Sequence, residues 1–442
     1  MASPAPVLSD VATVVCIAFI LLVPFAIAGI ALINVGLGRS RSAAHMMTCS
    51  LGVIAVAALV YFIVGFSWQG YAGGPAYYFL IGGKQWNWIA TERLFLRSVP
   101  LSGAPPSIGS LAAWFGLFSV SLAAIIPLGS GADRWRMSAA MLSTAVLAGW
   151  TYPLFAHWVW AGGWLSQLGM NYQMGQGFVD VGGASTIHCV AGLTGLSVAW
   201  ILGPRRGKYT RDGLPTAIPG HNSVYMMFGC LLALVGWIGM NGAGAILFAG
   251  VDPSGVVLIG VNTLLCAVSA GLTAAIVTKV RFRKPDASLS VNGWVGGLVA
   301  SSATCAFIKP PEAVVVGAIA GGLVTLTIEW FELKLGVDDP GGAVSAHALG
   351  GLWGLLALGI WGDVAGAGGS NQGQLLAQIV GIATLLGFVF PLTYGLNWAL
   401  NRVHAYRVER EGERQGMDLY ELGAGAYPEF VTHNDETSQR GY

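Results

Sequence analysis

Eleven runs of apolar residues, each long enough to cross a hydrocarbon layer, leave few architectures open to this chain. They fall at approximately 9–37, 43–66, 109–130, 137–163, 182–203, 222–246, 253–279, 288–308, 312–335, 343–361 and 374–401. A span takes about 20 such residues and must pair its own backbone N–H and C=O groups, which a helix does. The runs therefore predict an all-α polytopic membrane protein with eleven transmembrane helices. Composition agrees, since 55% of the 442 residues are hydrophobic and 10% are charged, against about 25% charged in a soluble domain. The 64 glycines sit within the apolar runs, as expected where helices approach closely. A net charge of +1 offers no basic surface to nucleic acid. Six cysteines fall in or beside the apolar runs without a CxxC pair, and read as small apolar core residues.

The connecting loops set an orientation. With the N-terminus outside, the inner loops and the tail collect eighteen of the twenty-two Lys and Arg residues. Only Lys84, Arg93, Arg97 and Lys309 fall outside, which is the bias of the positive-inside rule. The first run begins near Val7 with no basic residue before it. A secretory leader carries a positive n-region, so this run reads as a retained helix. The outer loop 67–108 is the longest, with Trp68, Trp86 and Trp88 suited to an interfacial position. Residues 1–401 form the expected membrane domain. The tail, 402–442, is expected on the cytoplasmic side, without regular structure from His433.

Within this frame one stretch occurs twice. Residues 180–196 read DVGGASTIHCVAGLTGL and residues 339–355 read DPGGAVSAHALGGLWGL, nine identities in seventeen positions. The copies open the fifth and tenth helices. An odd number of helices per repeat inverts the second, giving repeats at approximately 9–203 and 222–361 and an extra helix at 374–401. Inverted repeats place transporter sites near the midplane. Each histidine lies eight residues past its aspartate, roughly 12 Å deeper, so His188 and His347 approach the centre from opposite faces. Asp180 and Asp339 read as caps of free helix N–H groups, and the small residues as packing faces. Intramembrane ionisable residues usually line a pathway. A pair of neutral imidazoles can hydrogen-bond each other and still offer a polar edge. That suits a conduit for a small polar neutral molecule or a proton relay. Without a third protein ligand the pair is a poor zinc site, and no nucleophile accompanies it, so neither a metal, a cofactor nor an enzyme activity is expected.

Around these histidines the chain resembles the ammonium transporter, methylammonium permease and Rhesus protein family. The resemblance rests on Asp180…His188, on VDDPGGAVSAHALGG (337–351), on AHWVWAGGW (156–164) and on PGHNSVYMMFGCLLALVGWIGMNGAG (219–244). GMDLYELGAGAY (416–427) and GLGRSRSAAHMM (36–47) extend it to the tail and the first loop. It implies a homotrimer in the cell membrane with one hydrophobic pore per subunit. Ammonium is recruited at an outer vestibule and deprotonated, and ammonia passes the twin histidines. By position, His188 and His347 are those histidines. Trp160 is the vestibule tryptophan that holds the cation against its ring, and Asp180 supports the recruitment site. Trp158 and Trp164 are then interfacial belt residues. A nitrogen-regulatory PII protein is the implied partner at the inner face.

The family's outer gate does not carry over letter for letter. The two gate phenylalanines fall at Ser119, beside Phe118 and Phe115, and at Met240; the serine that helps to hold the cation falls at Gly244. Met240 is flexible and apolar enough to plug the site, whereas Ser119 is not, unless a one-residue shift turns Phe118 inward. A wider or wetter entrance and weaker recruitment are the expected consequences. GMNYQMGQGF (169–178) is longer than usual and reads as an outer loop, with a vestibule lid as the alternative. Gly342 replaces an aspartate of the tenth-helix motif, and Leu422 and Ala424 replace a histidine and a glutamate of the tail. Ammonium transport is the leading function. An ammonium sensor with little flux is the alternative, although sensors often carry a signalling domain for which the tail leaves no room.

Overall fold

A computed structural model describes residues 8–102, 106–366 and 371–428; the tail from His433 lies outside them. Among the described residues, ten helices are long and apolar enough to cross a membrane: α1 (Asp10–Leu37), α2 (Ser40–Gln69), α3 (Ile108–Gly131), α4 (Met137–Trp160), α5 (Ala184–Leu202), α6 (Ser223–Ala249), α7 (Pro253–Phe282), α9 (Pro310–Leu335), α10 (Val344–Trp361) and α11 (Gln374–Val403). The remaining expected span, α8 (Ala287–Thr304), forms a helix too. It is too polar to pass on hydropathy because it lies inside the bundle, where its hydroxyls and amide find partners. Ser301 Oγ and Ser302 Oγ, for example, accept from Asn241 and Trp237. The lipid-facing helices are the more apolar ones, as the solvent demands.

Between α2 and α3 the expected loop contains a two-stranded antiparallel hairpin, β1 (Ala76–Ile81) and β2 (Lys84–Ala90). Its turn is Gly82-Gly83, both at positive φ (60° and 77°), as a two-residue hairpin turn of the primed type requires. Asn87 on β2 anchors the hairpin to the α4–α5 connection, its N–H donating to Gln167 Oε1 and its Nδ2 to the Gly162 carbonyl. Trp86, expected at the membrane interface, is buried instead, whereas Trp88 is exposed.

Several letters of the doubled stretch have a structural reason. The second glycine of each pair, Gly183 and Gly342, has φ of 89° and 64°, a conformation that side chains resist. The aspartate three residues earlier then reaches the start of its helix. Asp180 accepts from the backbone N–H groups of Gly183, Ala184, Ser185 and Thr186 at 2.7–3.1 Å and from the Ser185 hydroxyl. Asp339 accepts from Val344 N–H at 2.7 Å and from Ser130 Oγ at 2.8 Å. Further along, Gly192 and Gly351 occupy equivalent positions in a reciprocal crossing. A methyl on Gly192 would lie 2.5 Å from the Ala348 nitrogen, and one on Gly351 2.5 Å from the Ala184 carbonyl oxygen. The first helices of the repeats, α1 and α6, meet the same way, through Gly29 and Gly229.

At one end of the bundle the loops are tied by buried charge. Arg205 makes a bidentate pair with Asp338, both contacts 2.9 Å, and a third contact to Asp133 at 3.1 Å. Arg134 is fully buried and donates to the carbonyls of Gly203, Ala132 and Asp338. The tail docks beneath the same end. Asp418 accepts from Ala44 and His45 N–H at the start of α2, and Glu421 meets His45 Nε2 at 2.8 Å. Leu422 and Ala424, the departures from the family pattern, are both exposed. Neighbouring Asp418 and Glu421 hold this segment to its own chain.

Two predictions follow from these caps and ties. Asp180→Ala strips the acceptor from four backbone N–H groups, each costing about 1–3 kcal/mol when left unsatisfied. The variant should lose well over half of its yield as folded protein, while Asp180→Asn, which keeps one acceptor oxygen, should lose less; size-exclusion recovery after solubilisation measures both. For Asp338, burial pushes the carboxyl up, but Arg134 and Arg205 more than offset it and hold it at about 2. A carboxyl depressed in the folded state stabilises above its ordinary value of about 4 and loses that contribution as pH falls. Acid unfolding of the wild type should therefore steepen between about pH 4 and 2. Asp338→Asn removes the carboxylate facing buried Arg134 and the bidentate partner of Arg205, which keeps only Asp133, should cost about 3–5 kcal/mol at neutral pH, and should flatten that acid limb.

Candidate functional site

Each histidine is delivered by a widened first turn. Ala184–Cys189 and Val344–Leu349 are π-helical turns at the starts of α5 and α10, and such turns are frequent at functional sites. They bring His188 and His347, 159 residues apart in sequence, to an Nδ1–Nδ1 distance of 3.3 Å. Both rings are buried. A hydrogen bond between two Nδ1 atoms needs one ring to carry its proton there and the other to present a lone pair. The pair is thus polarised, one ring donating and one accepting. His188 Nε2 has no partner among the described residues, and forms the polar edge expected of such a pair.

Trp237 on α6 completes this centre. Its ring lies 4.9 Å from that of His188 and within 6° of parallel, and its indole N–H donates to Ser302 Oγ on α8 at 3.1 Å. The imidazole is therefore fixed by its own helix, by a stacked indole and by its twin. Trp237 stands in the stretch 219–244, which carried the family resemblance above without a role for this tryptophan. A tryptophan three residues before a candidate gate, on a helix of the second repeat, was the signal available.

On the side where α5 begins lies a cavity of about 250 Å³ lined by Trp160, Asp180, Phe248, Gln176, Phe178 and Phe307. Trp160 Nε1 donates to the Asp180 carbonyl at 2.6 Å. One aspartate therefore caps α5 with its side chain and positions Trp160 with its backbone. The stretch 169–178 contributes a wall: Gln176 and Phe178 face the cavity, and Gln176 N–H is held by Gln374 Oε1.

The expected gate residues do not gather here. Phe118 packs beside Trp114 in an apolar groove between α1 and α2. Ser119 is buried, its hydroxyl turned back to the Phe115 carbonyl of its own helix. Met240 is fully buried. Gly244 has no room for the family's serine, because any Cβ there would collide with the Val181 carbonyl. Two other rings meet Trp160 instead. Phe248, one helical turn beyond Gly244 and so on the same face of α6, stacks on the indole at 4.3 Å and 4°. Phe115 abuts both rings edge-on, at 5.8 and 5.4 Å. Three aromatic rings, Trp160, Phe115 and Phe248, therefore meet beside this cavity, where the two family phenylalanines are missing. Trp158 is corrected. It is 1% exposed, packs under Trp88 and donates to its carbonyl at 2.8 Å, so it anchors the hairpin rather than lining a lipid interface.

This geometry can be set beside known proteins. A sequence model of the Ammonium Transporter Family matches residues 14–427. Ammonium transporter Amt2 of Archaeoglobus fulgidus is 36% identical over 431 residues, covering 94% of this chain and 88% of that protein. The ammonium transporter of Bacillus subtilis is 30% identical over 414 residues, covering 91% and 95%. Among solved structures, one described as a sensor Amt protein superposes with a TM-score of 0.82 at 27% identity, covering 93% of this chain and 98% of that one. Saccharomyces cerevisiae Mep2 superposes with a TM-score of 0.76 at 25% identity, covering 90% and 89%. By sequence along nearly its whole length, this multi-pass membrane protein belongs to the ammonium transporter family.

Proposed function

We propose that the protein conducts ammonium nitrogen across the cell membrane, with Trp160 recruiting the cation outside and His188 and His347 passing it, deprotonated, through the centre. The observation that carries this reading is the imidazole pair: two buried rings from repeat-equivalent positions, hydrogen-bonded at 3.3 Å. A polarised pair of this kind offers a donor and an acceptor, which suits ammonia, a small molecule with both. A charged ammonium ion would have to shed its water to pass there, at a cost that favours leaving its proton behind. Residues 1–401 act as the membrane domain, with the N-terminus outside and 402–442 as a cytoplasmic tail. Family precedent supports a homotrimer, and makes the tail-covered inner face the surface for a PII partner.

At the entrance, Phe248 takes the place the cation needs, because it covers one face of Trp160. An aromatic pair is worth about 0.5–1.5 kcal/mol beyond area burial, and a cation on an indole about 0.5–2 kcal/mol. The two are close enough for the cation to displace the phenylalanine. Phe248 and Phe115 thus serve as the outer gate in place of Ser119, Phe118, Met240 and Gly244. The same covered ring favours a second reading, an ammonium sensor with little flux, and the likeness to a sensor Amt protein supports it.

Proteoliposomes given an inward ammonium jump test the choice. Current or uptake is expected for a transporter; binding without either would establish the sensor. In the transporter, replacing His188 and His347 together, by Ala or Gln, should reduce ammonium-selective flux at least tenfold, and unchanged selectivity would remove the histidines from the pathway. Phe248→Ala should tighten half-saturation by methylammonium up to about tenfold, by removing the competitor for the indole. It should also shift the Trp160 emission to longer wavelength. An unchanged half-saturation would remove Phe248 from the gate.

A further inference from the structure

At the end of the bundle where the tail docks, a second cavity of about 470 Å³ has a different chemistry. Five guanidinium groups line it: Arg39 from the loop after α1, Arg41 from the first turn of α2, Arg206 from the loop after α5, and Arg410 and Arg414 from the tail helix Arg410–Gln415. Two carboxylates face them, and both are committed. Glu413 is shared by Arg206 at 3.3 Å and Arg407 at 2.8 Å, and Glu411 pairs with Arg414 at 2.9 Å. Arg41 is spent on the tail's backbone, donating to the carbonyls of Arg414 and Glu413. The Arg410 side chain makes no hydrogen bond or ion pair among the described residues, and the Arg39 guanidinium approaches Asp133 only at 3.8 Å.

The walls are consequently held in place by ion pairs while positive charge is left in excess. Burial is the main cause that draws the Arg39 guanidinium below its ordinary value; Arg205 and Arg41 add to it, and Asp133 and Glu413 oppose it. Like charges gathered around a concave space attract a multivalent anion. The planar forks of arginine match phosphate oxygens two at a time. The volume falls within the roughly 300–1,000 Å³ of small-ligand sites. We propose that this cavity binds a phosphate-bearing anion, which fastens the tail helix to the loops after α1 and α5. The inference is independent of what crosses the pore. Free phosphate compounds and anionic lipid headgroups share this chemistry.

The full chain in nanodiscs distinguishes the sources. In purely zwitterionic discs, inorganic phosphate, pyrophosphate and ATP are titrated by calorimetry; phosphatidylglycerol and phosphatidic acid are added to the discs in a second arm. Saturable binding in the first arm assigns a soluble ligand, and retention of anionic lipid in native mass spectrometry in the second assigns a headgroup. In either case amide exchange across residues 408–416 should slow on binding. Arg410→Gln with Arg414→Gln should weaken binding at least about tenfold, through lost charge-assisted hydrogen bonds. Arg283→Gln, an exposed arginine outside the cavity, should leave it unchanged. The proposal is overturned if no probe binds, if the double variant binds as tightly as the wild type, or if succinate at equal concentration binds as well as phosphate.

Discussion

A helix that begins inside a membrane protein exposes four backbone N–H groups with nowhere to go, and hydrocarbon cannot satisfy them. Here α5 begins inside the protein, and the Asp180 carboxylate gathers the N–H groups of residues 183–186. Much else depends on that capture. It fixes the widened turn from which His188 projects, and through the Asp180 carbonyl it fixes Trp160. A single residue thereby sets the distance between Trp160 and the imidazole pair.

How much of this the chain's letters disclosed depends on the kind of interaction. The eleven helices were legible because hydrocarbon imposes one length and one backbone solution on every span, and α8 still read as an apolar run despite its serines. The histidine pair was legible because duplication wrote it twice. The gate was not. Matching Ser119 and Met240 to family positions assumes that side chains stay in register, whereas the Val181 carbonyl fills the space beside Gly244 and the aromatic ring is supplied one turn later by Phe248. Only three-dimensional packing reveals such a displacement along a helix. The hairpin was different again: Gly82-Gly83 between AYYFLI and KQWNWIA is a readable turn signal that the search for membrane spans passed over. Trp158 was misplaced because nothing in the local sequence announces what covers it.

The buried charges at the tail-docking end follow a different logic from the apolar centre. Ion pairs taken out of water seldom add net stability over a well-packed apolar core. Arg134, Arg205, Asp133 and Asp338 instead join three loops that have no secondary structure in common, one of them leading directly into α10. The tail adds its own carboxylates to the same region through Glu413, Asp418 and Glu421. Chemical events at the tail are thereby within two or three polar contacts of the segment that precedes His347.

The reciprocal glycine crossing of α5 and α10 constrains how the protein can move. With Gly192 against the Ala348 backbone and Gly351 against that of Ala184, neither helix can slide along the other without driving a bulkier residue into main chain. The histidine pair straddles that contact. A rocking motion of one repeat over the other would have to break the seam that aligns the two imidazoles. The fold is therefore built like a pipe with a fixed midpoint rather than a revolving door. Adjustment is left to the parts at its two ends, an aromatic cluster at one and a docked tail at the other.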